Sequence, residues 1–530
     1  MTSPRLPPEI LHTITVSYLS PVNDVSTLRA LSLTHSFLLP ATRTALFHTI
    51  RLARHKKDDG VHPFLCRSLA SLFHRSPHIA GYVRKLTIVE GTIRNSWYSD
   101  IRFWVSSEDD DLPFILRMVA YGGADSRHAP ETWTGIGLRS LEMLGFGKST
   151  MDWMSFHWQL REALVDVFER GKLEDLRLVG LNNFPLASLQ RNETLRNMCF
   201  GWLWTANGDS NATTNPEGDS PSKTVIRRYR PTLKFLDLSF EHNESQGTAL
   251  INELTHPSCP VDISGLEHLV INGDQHLNIQ HLFNHCRDDL RFLEIRTNQY
   301  PIPAPPAHIS LEPLSSLHCL SLFVPVIDWE EISPKPFPWL DHLLSTLCVT
   351  SFTSACGNGR TISNPSLHNL QLIFDIDQLP LFERIEQTEW SSLNAHFKRL
   401  LKHRTRATSP ATPLTSSADT NLLTEAPDLK ITIYIFTDLD TIDFLDGAQY
   451  MSTCHTFLKD PLASYATSSC HCDYNPRLST SVERSESWGR ESGVESTPMR
   501  RFLSTFLPVL GSKEGLKSIR VLRTNYIPKL

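Results

Sequence analysis

The chain has 530 residues, more than one hydrophobic core usually organises, so the sequence predicts either two domains or one core extended by repetition. Apolar residues make up 40% and charged residues 20% of the chain, a balance that excludes a wholly disordered protein. The 51 basic and 57 acidic side chains give a formal net charge of −6, which disfavours nucleic acid and anionic lipid as partners.

The apolar runs are far shorter than the roughly 18 residues that span a bilayer, so we expect no membrane segment. Residues 1–8 lack the basic and then apolar stretch of a secretory signal, which favours a cytoplasmic and/or nuclear location. The ten cysteines include no CxxC pair, a pattern typical of reduced, mostly buried thiols rather than of a disulfide framework.

The first fifty residues carry the apolar spacing of three short helices. Residues 6–11 read Leu-Pro-Pro-Glu-Ile-Leu, and prolines suit the first turn of a helix because the missing N–H has no partner there. Val25, Leu28 and Leu31 share a face of a second helix, and residues 34–40 open a third. Three helices of this length bury little area, so the module needs a partner or a neighbouring domain.

Residues 6–11, Tyr18-Leu19 and residues 27–37 resemble the F-box, particularly the divergent F-box-like domains of mushroom-forming fungi. The resemblance covers about a tenth of the chain, residues 1–52. In that family this region docks on a Skp-type adaptor, which joins the F-box protein to a cullin ubiquitin ligase. The V-C-K-x-W stretch of the family is replaced here by residues 32–37, and Phe47 takes the later tryptophan position. The resemblance implies docking or supporting roles for Leu6, Pro7, Ile10, Leu11, Leu28 and Leu31.

The rest of the chain repeats one small pattern, in which apolar residues occupy the first, fourth and sixth positions. The fourth and sixth positions are two apart, which places them on one face of a strand. Looser copies begin at Val83 and Leu516. Strict copies begin at Leu138, Leu173, Leu233, Leu266, Leu290, Leu317 and Leu367.

Amphipathic helical stretches precede several of these strands. They lie at residues 64–73, 112–119, 160–168, 340–347 and 381–401, and Gly171 is placed to end the third. Alternating helices and strands with one apolar face each predict an α/β fold of parallel strands joined by crossovers.

The pattern resembles an irregular leucine-rich-repeat solenoid over residues 53–530, with helices on the convex side, although the intervals are uneven and mostly longer than in regular repeats. A doubly wound open sheet is the alternative. Stretches rich in Ser, Thr, Pro, Asn or Gly predict loops or disordered inserts near 205–223, 301–308, 404–427 and 467–498.

One segment offers an enzymatic alternative. Gly147-Lys148-Ser149 follows a predicted strand, as the end of a phosphate-binding loop would, and Asp375 after another strand could hold magnesium. The full loop pattern requires glycine where Glu142 stands, however, and a carboxylate there would repel phosphate. Solvated loop ends are the simpler interpretation of both features.

Neither zinc chemistry nor a catalytic nucleophile is favoured. Cys454-His455 and residues 470–472 supply suitable ligand atoms, but Cys470 and Cys472 are only two positions apart. The sequence has no G-x-S-x-G or H-E-x-x-H motif, so we expect no catalytic residue, metal or cofactor.

Paired aromatic residues are candidates for a target-binding surface where they follow strands, because large rigid rings dominate interface energetics. The pair of Trp153 and Trp158 is expected in the core more often than at a surface. The candidate target-binding residues are Trp97, Tyr98, Trp202 and Trp204.

The sequence therefore predicts a non-enzymatic scaffold. The resemblance implies that its amino-terminal module binds a Skp-type adaptor, and through it a cullin, while the repeat body holds an unidentified target protein near the ligase. A nucleotide-binding enzyme using Lys148, and a repeat scaffold unrelated to ubiquitin, are the alternatives.

Overall fold

A computed structural model describes much of the chain in two compact units, which meet in sequence between residues 239 and 264. Unit 1 contains residues 1–239 and 245–263, and unit 2 contains residues 240–244 and 264–530. The structure describes residues 24–34, 36–53, 64–90, 104–105, 110–122, 137–145, 151–201, 230–240, 244–272, 279–296, 309–326, 338–347, 350–351, 360–361, 367–376, 395–396, 430–437 and 521–524, with the single residues 10, 13, 15 and 19.

Between residue 24 and the first strand of unit 1, the described residues form two short α-helices. Helix α1 spans Val25–Thr34 and helix α2 spans Leu39–Phe47, and the two pack against each other. Pro40 lies in the first turn of α2, where the missing N–H leaves no hydrogen bond unmade. Leu28 on α1 is completely buried.

In the main sheet of unit 1, the described residues form six parallel strands whose order in the sheet is their order in the chain. They are β1 Thr49–Ala53, β2 Lys85–Glu90, β3 Ser140–Gly145, β5 Asp175–Val179, β7 Asn197–Gly201 and β8 Phe235–Ser239. β1 begins inside the range assigned to the helical module, so the sheet starts before residue 53.

The repeated apolar pattern sets the register of this sheet. Leu141 lies opposite Leu86 and Leu176, and Met143 continues the same alignment two residues later. These fourth and sixth pattern positions are almost completely buried. Burying one such side chain contributes about 1.5–3 kcal/mol, so a slip of one residue would expose a whole row and is strongly disfavoured.

Three predicted helices connect these strands and are confirmed. They are α3 Phe64–Arg75, α4 Asp111–Ala120 and α5 Trp158–Arg170. Each packs against its successor, α3 on α4 and α4 on α5. Gly171 ends α5 as predicted, donating its N–H to the carbonyl of Val167 at 3.1 Å. A later helix, α6 at Glu244–Thr255, follows β8.

A small two-stranded parallel sheet lies beyond the ends of β3 and β5. It pairs β4 at Met151–Asp152 with β6 at Leu181–Asn182. Gly180 joins β5 to β6 with a φ of 65°, in the left-handed region that glycine adopts without strain. A Cβ at this position would lie 2.7 Å from the carbonyl oxygen of Gly145, so glycine is required twice over.

Unit 2 repeats the arrangement with six more parallel strands in chain order. They are β9 His268–Asn272, β10 Phe292–Arg296, β11 Cys319–Val326, β14 Asn369–Ile376, β15 Lys430–Thr437 and β16 Val521–Thr524. The described helices of unit 2 include α7 Ile279–Cys286 and α8 Pro338–Thr346, and two short strands, β12 Thr350–Ser351 and β13 Arg360–Thr361, form an antiparallel pair.

The α/β class and the parallel sheet are confirmed, and the arrangement is solenoid-like. A doubly wound sheet needs a point where the strand order reverses, and neither six-strand order contains one. All seven strict copies of the apolar pattern lead into strands. The predicted inserts lie outside the described residues, as does all of the 381–401 stretch except residues 395 and 396, which are helical.

Candidate functional site

The structure describes three of the six residues predicted to dock on or support an adaptor interface. Ile10 is 46% exposed, Leu31 is half-buried and Leu28 is fully buried, so Leu28 supports the module from inside. Leu6, Pro7 and Leu11 lie outside the described residues, as do the aromatic candidates Trp97, Tyr98, Trp202 and Trp204.

The helical module exposes an apolar residue that sequence reasoning missed. Leu33, near the end of α1, is 87% exposed. It lies only two positions after Leu31, so it falls off the apolar stripe of Val25, Leu28 and Leu31. This position was the signal in the sequence, because an apolar residue that lies off the buried stripe of a helix is expected to face outward.

The other predicted aromatic pair divides between core and surface. Trp153 is buried, with its ring centroid 5.9 Å from that of Phe156 and 5.6 Å from that of Phe184. Trp158 begins α5 and is 58% exposed. Only Trp158 of this pair is therefore available to a partner.

The sheet of unit 1 has a second face, formed by the positions that alternate with the buried apolar pattern. One register row of this face, here called the central polar row, crosses all six strands. It consists of Arg51, Thr87, Glu142, Arg177, Cys199 and Asp237. The chain thus aligns charged and polar side chains that lie far apart in sequence.

Glu142 is the most strongly paired member of this row. The Lys85 ammonium donates to Glu142 Oε1 at 2.6 Å, and Thr87 Oγ1 donates to Glu142 Oε2 at 2.9 Å. Burial alone would raise the pKa of Glu142, but Lys85, the nearby Arg177 and the Thr87 hydrogen bond together lower it. The carboxylate is therefore held in its ionised form.

The far end of the row is buried. Cys199 Sγ donates to Asp237 Oδ2 at 3.5 Å, and Asp237 is completely inaccessible to solvent. Burial, with the adjacent Asp237 carboxylate, raises the pKa of the Cys199 thiol well above its ordinary value. This end of the row holds an unreactive thiol rather than a nucleophile.

The corresponding face of unit 2 contains a buried ion pair. Arg296 Nε donates to Glu294 Oε1 at 2.5 Å within β10, and both side chains are less than a tenth exposed. Ser321 and Gln371 align with Glu294 on the next two strands. The charges of Arg296 and Glu294 cancel, and their aligned neighbours Ser321 and Gln371 are uncharged, so this part of the face is polar without net charge.

The phosphate-loop alternative rests partly outside the described residues, which exclude 146–150. Glu142, where that loop would need glycine, lies in the middle of β3 and is engaged by Lys85. Asp375 was predicted to follow its strand, but β14 continues to Ile376, so Asp375 lies within the strand.

Among the described residues, no group of three or more metal-ligating side chains comes together. Cys454, His455 and residues 470–472 lie outside that part of the chain. The helices within the described ranges include none with the length and apolar character needed to cross a bilayer.

A comparison with known protein families finds no match to this chain, and a search of curated proteins finds no similar sequence.

Proposed function

We propose that this protein is a substrate-recognition scaffold, in which the amino-terminal module docks on a Skp-type adaptor and the sheet presents a binding surface to a target protein. The strand order carries the proposal. Parallel strands that follow one another in chain order are the mark of repeat architectures, whose extended faces commonly bind other proteins.

The helical module supports the adaptor half of the proposal. Its short helices bury one stripe around Leu28 but leave Ile10 and Leu33 substantially exposed. A partner that covers these side chains would supply the burial that so small a module lacks. The resemblance of residues 6–11 to the F-box implies a Skp-type adaptor as that partner, with a cullin bound through it.

The mechanism is proximity rather than chemistry on this chain. Holding a target beside a ubiquitin-charged enzyme raises the local concentration of the reacting groups by many orders of magnitude. The scaffold then needs a stable surface for the target and a second surface for the adaptor. It needs no reacting group of its own.

A pull-down with purified adaptor tests this proposal. We expect full-length protein to retain the adaptor, and a Leu6→Ala, Pro7→Ala, Ile10→Ala variant and a Leu33→Ser variant each to retain much less. Leu65→Ser is the matched control, because Leu65 is also an exposed leucine, 53% accessible, but lies on α3 outside the module. Equal recovery of all four proteins would contradict adaptor docking.

Two further measurements separate the alternatives. Adaptor binding without cullin recruitment would favour a scaffold that works outside ubiquitin transfer. Saturable binding of ATP with magnesium, lost in Lys148→Ala, would favour the nucleotide-binding enzyme, since a scaffold should bind no nucleotide.

A further inference from the structure

The residues immediately before the strands of unit 1 form a row of their own. All but the last, Lys234, contribute a carbonyl that accepts two N–H groups at the start of the next strand; Arg84, for example, accepts from Arg139 at 2.8 Å and from Ser140 at 2.9 Å. Neighbours in this row are therefore one strand spacing apart, about 4.8 Å. The row consists of His48, Arg84, Arg139, Glu174, Arg196 and Lys234.

This row is strongly cationic in a chain whose net charge is −6. Four of its members are arginine or lysine, and we call Arg84, Arg139, Arg196 and Lys234 the basic edge. All but Arg84 are exposed. Glu174 is the sole acidic member of the row, and its Oε1 lies 3.5 Å from Arg139 Nη1.

Two of these cations, Arg84 and Arg196, have hydrogen bonds that leave their positive charge uncompensated. Arg84 Nη1 donates to the carbonyls of Gly81 at 2.7 Å and Val83 at 3.1 Å, and Arg196 Nη1 donates to the carbonyl of Thr232 at 3.4 Å. Neutral carbonyls orient a guanidinium without cancelling its charge. Within the described part of the chain, no carboxylate pairs with Arg84 or Arg196.

The cations also repel one another. Burial, followed by repulsion from Arg84 and Arg139, lowers the pKa of His48. Burial and repulsion from Arg139 lower the pKa of Arg84. Like charges held together by the backbone register carry an electrostatic cost in the free protein, and an anion bound across them would relieve it.

We propose that the basic edge binds an extended acidic segment of the target protein, rich in aspartate or glutamate. From β2 to β8 the edge crosses four strand spacings, or ~19 Å, which matches about six residues of extended chain. Carboxylates that recur along such a segment can meet Arg84, Arg139, Arg196 and Lys234 in turn, with a neutral residue opposite Glu174.

A peptide fits this edge better than a nucleic acid does. Glu174 interrupts the cations at the centre of the row, and a phosphate backbone would place charge against it at every nucleotide. The net charge of −6 also opposes a long polyanion, whereas it allows a short segment held at close range. This inference rests on the target-binding half of the proposed function and is independent of adaptor docking.

Fluorescence anisotropy with full-length protein tests the inference. The probe is a fluorescein-labelled peptide of about eight alternating Glu and Ser residues, long enough to cover the ~19 Å edge. We expect saturable binding that weakens as salt rises, and none for a Gln-Ser peptide of equal length. The triple variant Arg139→Glu, Arg196→Glu, Lys234→Glu should bind roughly tenfold more weakly or worse, because three attractions become repulsions.

The matched control reverses three cations elsewhere. Arg67 is exposed on α3, Arg191 is 75% exposed and Arg287 is 62% exposed, so their triple change to Glu alters the total charge equally. We expect it to leave affinity within about threefold, since exposed charges that are not members of the row are screened by solvent and salt. An equal loss in both triple variants would overturn the proposal, because net charge and not the edge would then govern binding.

Glu174→Gln supplies a test that misfolding cannot imitate. Removing this carboxylate frees Arg139 and takes one negative charge out of the row. We expect the Glu-Ser peptide to bind several-fold more tightly, and unchanged or weaker binding would count against the edge as the site.

Two further outcomes are decisive. Tighter binding of a thymidine oligonucleotide than of the Glu-Ser peptide would overturn the inference in favour of nucleic acid. Measuring adaptor pull-down on the same samples separates the two proposals: a protein that retains adaptor but ignores the peptide rejects the acidic-segment inference alone, and the reverse result rejects adaptor docking alone.

Discussion

Glu142 shows how a charged side chain can lie in the middle of a β-strand. Its carboxylate is mostly buried, with 14% of the side chain exposed, and Lys85 reaches it diagonally from the neighbouring strand. A sequence cannot reveal this pair, because the partners are 57 residues apart and meet only through the register of β2 and β3. From sequence, Glu142 is recognisable only as a residue unsuited to phosphate.

We expect Glu142→Gln to lower the free energy of unfolding by about 1–2 kcal/mol at neutral pH, because Lys85 and Thr87 lose a charged acceptor. The folded pKa of Glu142 lies below its reference value of 4.5. The contribution of this carboxylate is therefore fully present above about pH 4.5 and is lost as pH falls through the folded pKa. Urea unfolding of the wild type and of Glu142→Gln along an acid pH series should show their free energies of unfolding becoming equal as pH falls.

Glu162→Gln is the control for that experiment. Glu162 pairs with Arg117 at 2.7 Å, but more than half of its side chain is exposed. An exposed pair of this kind is screened by solvent, so its loss should change stability little. A deficit of Glu142→Gln that stays constant into acid would show that the carboxylate charge is not what stabilises this site.

In the helical module, helix α1 buries one face and exposes a leucine on another. The apolar stripe of α1 correctly places Leu28 inside, because residues three and four apart share a helix face. The same periodicity places Leu33 off that face but does not say what an exposed leucine would contact. A periodic apolar pattern predicts which side chains form the core. Whether an exposed leucine belongs to a binding surface depends on its neighbours on that surface, which the pattern does not give.

At the scale of elements, some strands without a strict copy of the pattern keep its spacing but use apolar residues other than leucine. Phe47, Ile50 and Leu52 lead into β1 with the same spacing, and Leu195 opens the copy before β7. Phenylalanine and isoleucine take the pattern positions of leucine here, where Phe47 and Ile50 are half-buried and Leu52 is buried, since these positions select for apolar volume rather than identity. β15 was missed because Asp428 stands at the first position of its copy.

The turn between β5 and β6 depends on one glycine. Gly180 donates its N–H to the Gly201 carbonyl at 2.7 Å, and its own carbonyl accepts the Met151 N–H at 2.6 Å. We expect Gly180→Ala to destabilise the protein by about 1–3 kcal/mol, because the new Cβ meets the Gly145 backbone at a positive φ. Thermal unfolding monitored by circular dichroism measures the loss.

Gly201→Ala is the comparison for this turn. A Cβ there would lie 3.2 Å from a methyl group of Val179, a side chain that can shift, and Gly201 has no positive φ. We expect a smaller loss of stability than for Gly180→Ala. Equal losses would show that local crowding, and not the left-handed backbone, makes Gly180 necessary.

The end of β2 is joined to residues 104–105 by hydrogen bonds. Glu90, only 1% exposed, accepts the backbone N–H groups of Trp104 at 3.2 Å and Val105 at 2.8 Å, and Trp104 Nε1 donates to the Val89 carbonyl at 3.0 Å. The carboxylate and the indole thus tie a distant segment back onto the strand that precedes it.

We expect Glu90→Gln to cost about 1–3 kcal/mol, because an amide replaces a charged acceptor and turns one of its donors toward backbone N–H groups. Hydrogen exchange should speed up at the Trp104 and Val105 amides before it does in β2. Trp104→Phe, which loses the Val89 hydrogen bond but keeps a buried ring, should leave both amides better protected than Glu90→Gln does.

At the scale of the whole molecule, the parallel register determines which side chains lie opposite one another on neighbouring strands. Leu178 lies opposite Met143 and Phe200 in unit 1, and Leu322 lies opposite Ile295 and Leu372 in unit 2. In an architecture of successive strands, stability is a sum of local terms and nearest-neighbour terms. A cavity made by shortening one buried side chain should therefore destabilise mainly its own strand and the adjoining strands.

Leu178→Ala and Leu322→Ala test this locality, since both leucines are completely buried. We expect each to cost about 2–5 kcal/mol and to speed hydrogen exchange in its own and adjoining strands, leaving the other unit's strands protected. The two losses should add within about 0.5 kcal/mol, whereas Leu178→Ala combined with Phe200→Ala, on adjacent strands, should deviate from additivity. Loss of protection in β5 on Leu322→Ala would instead mean that the twelve long strands unfold as one cooperative body.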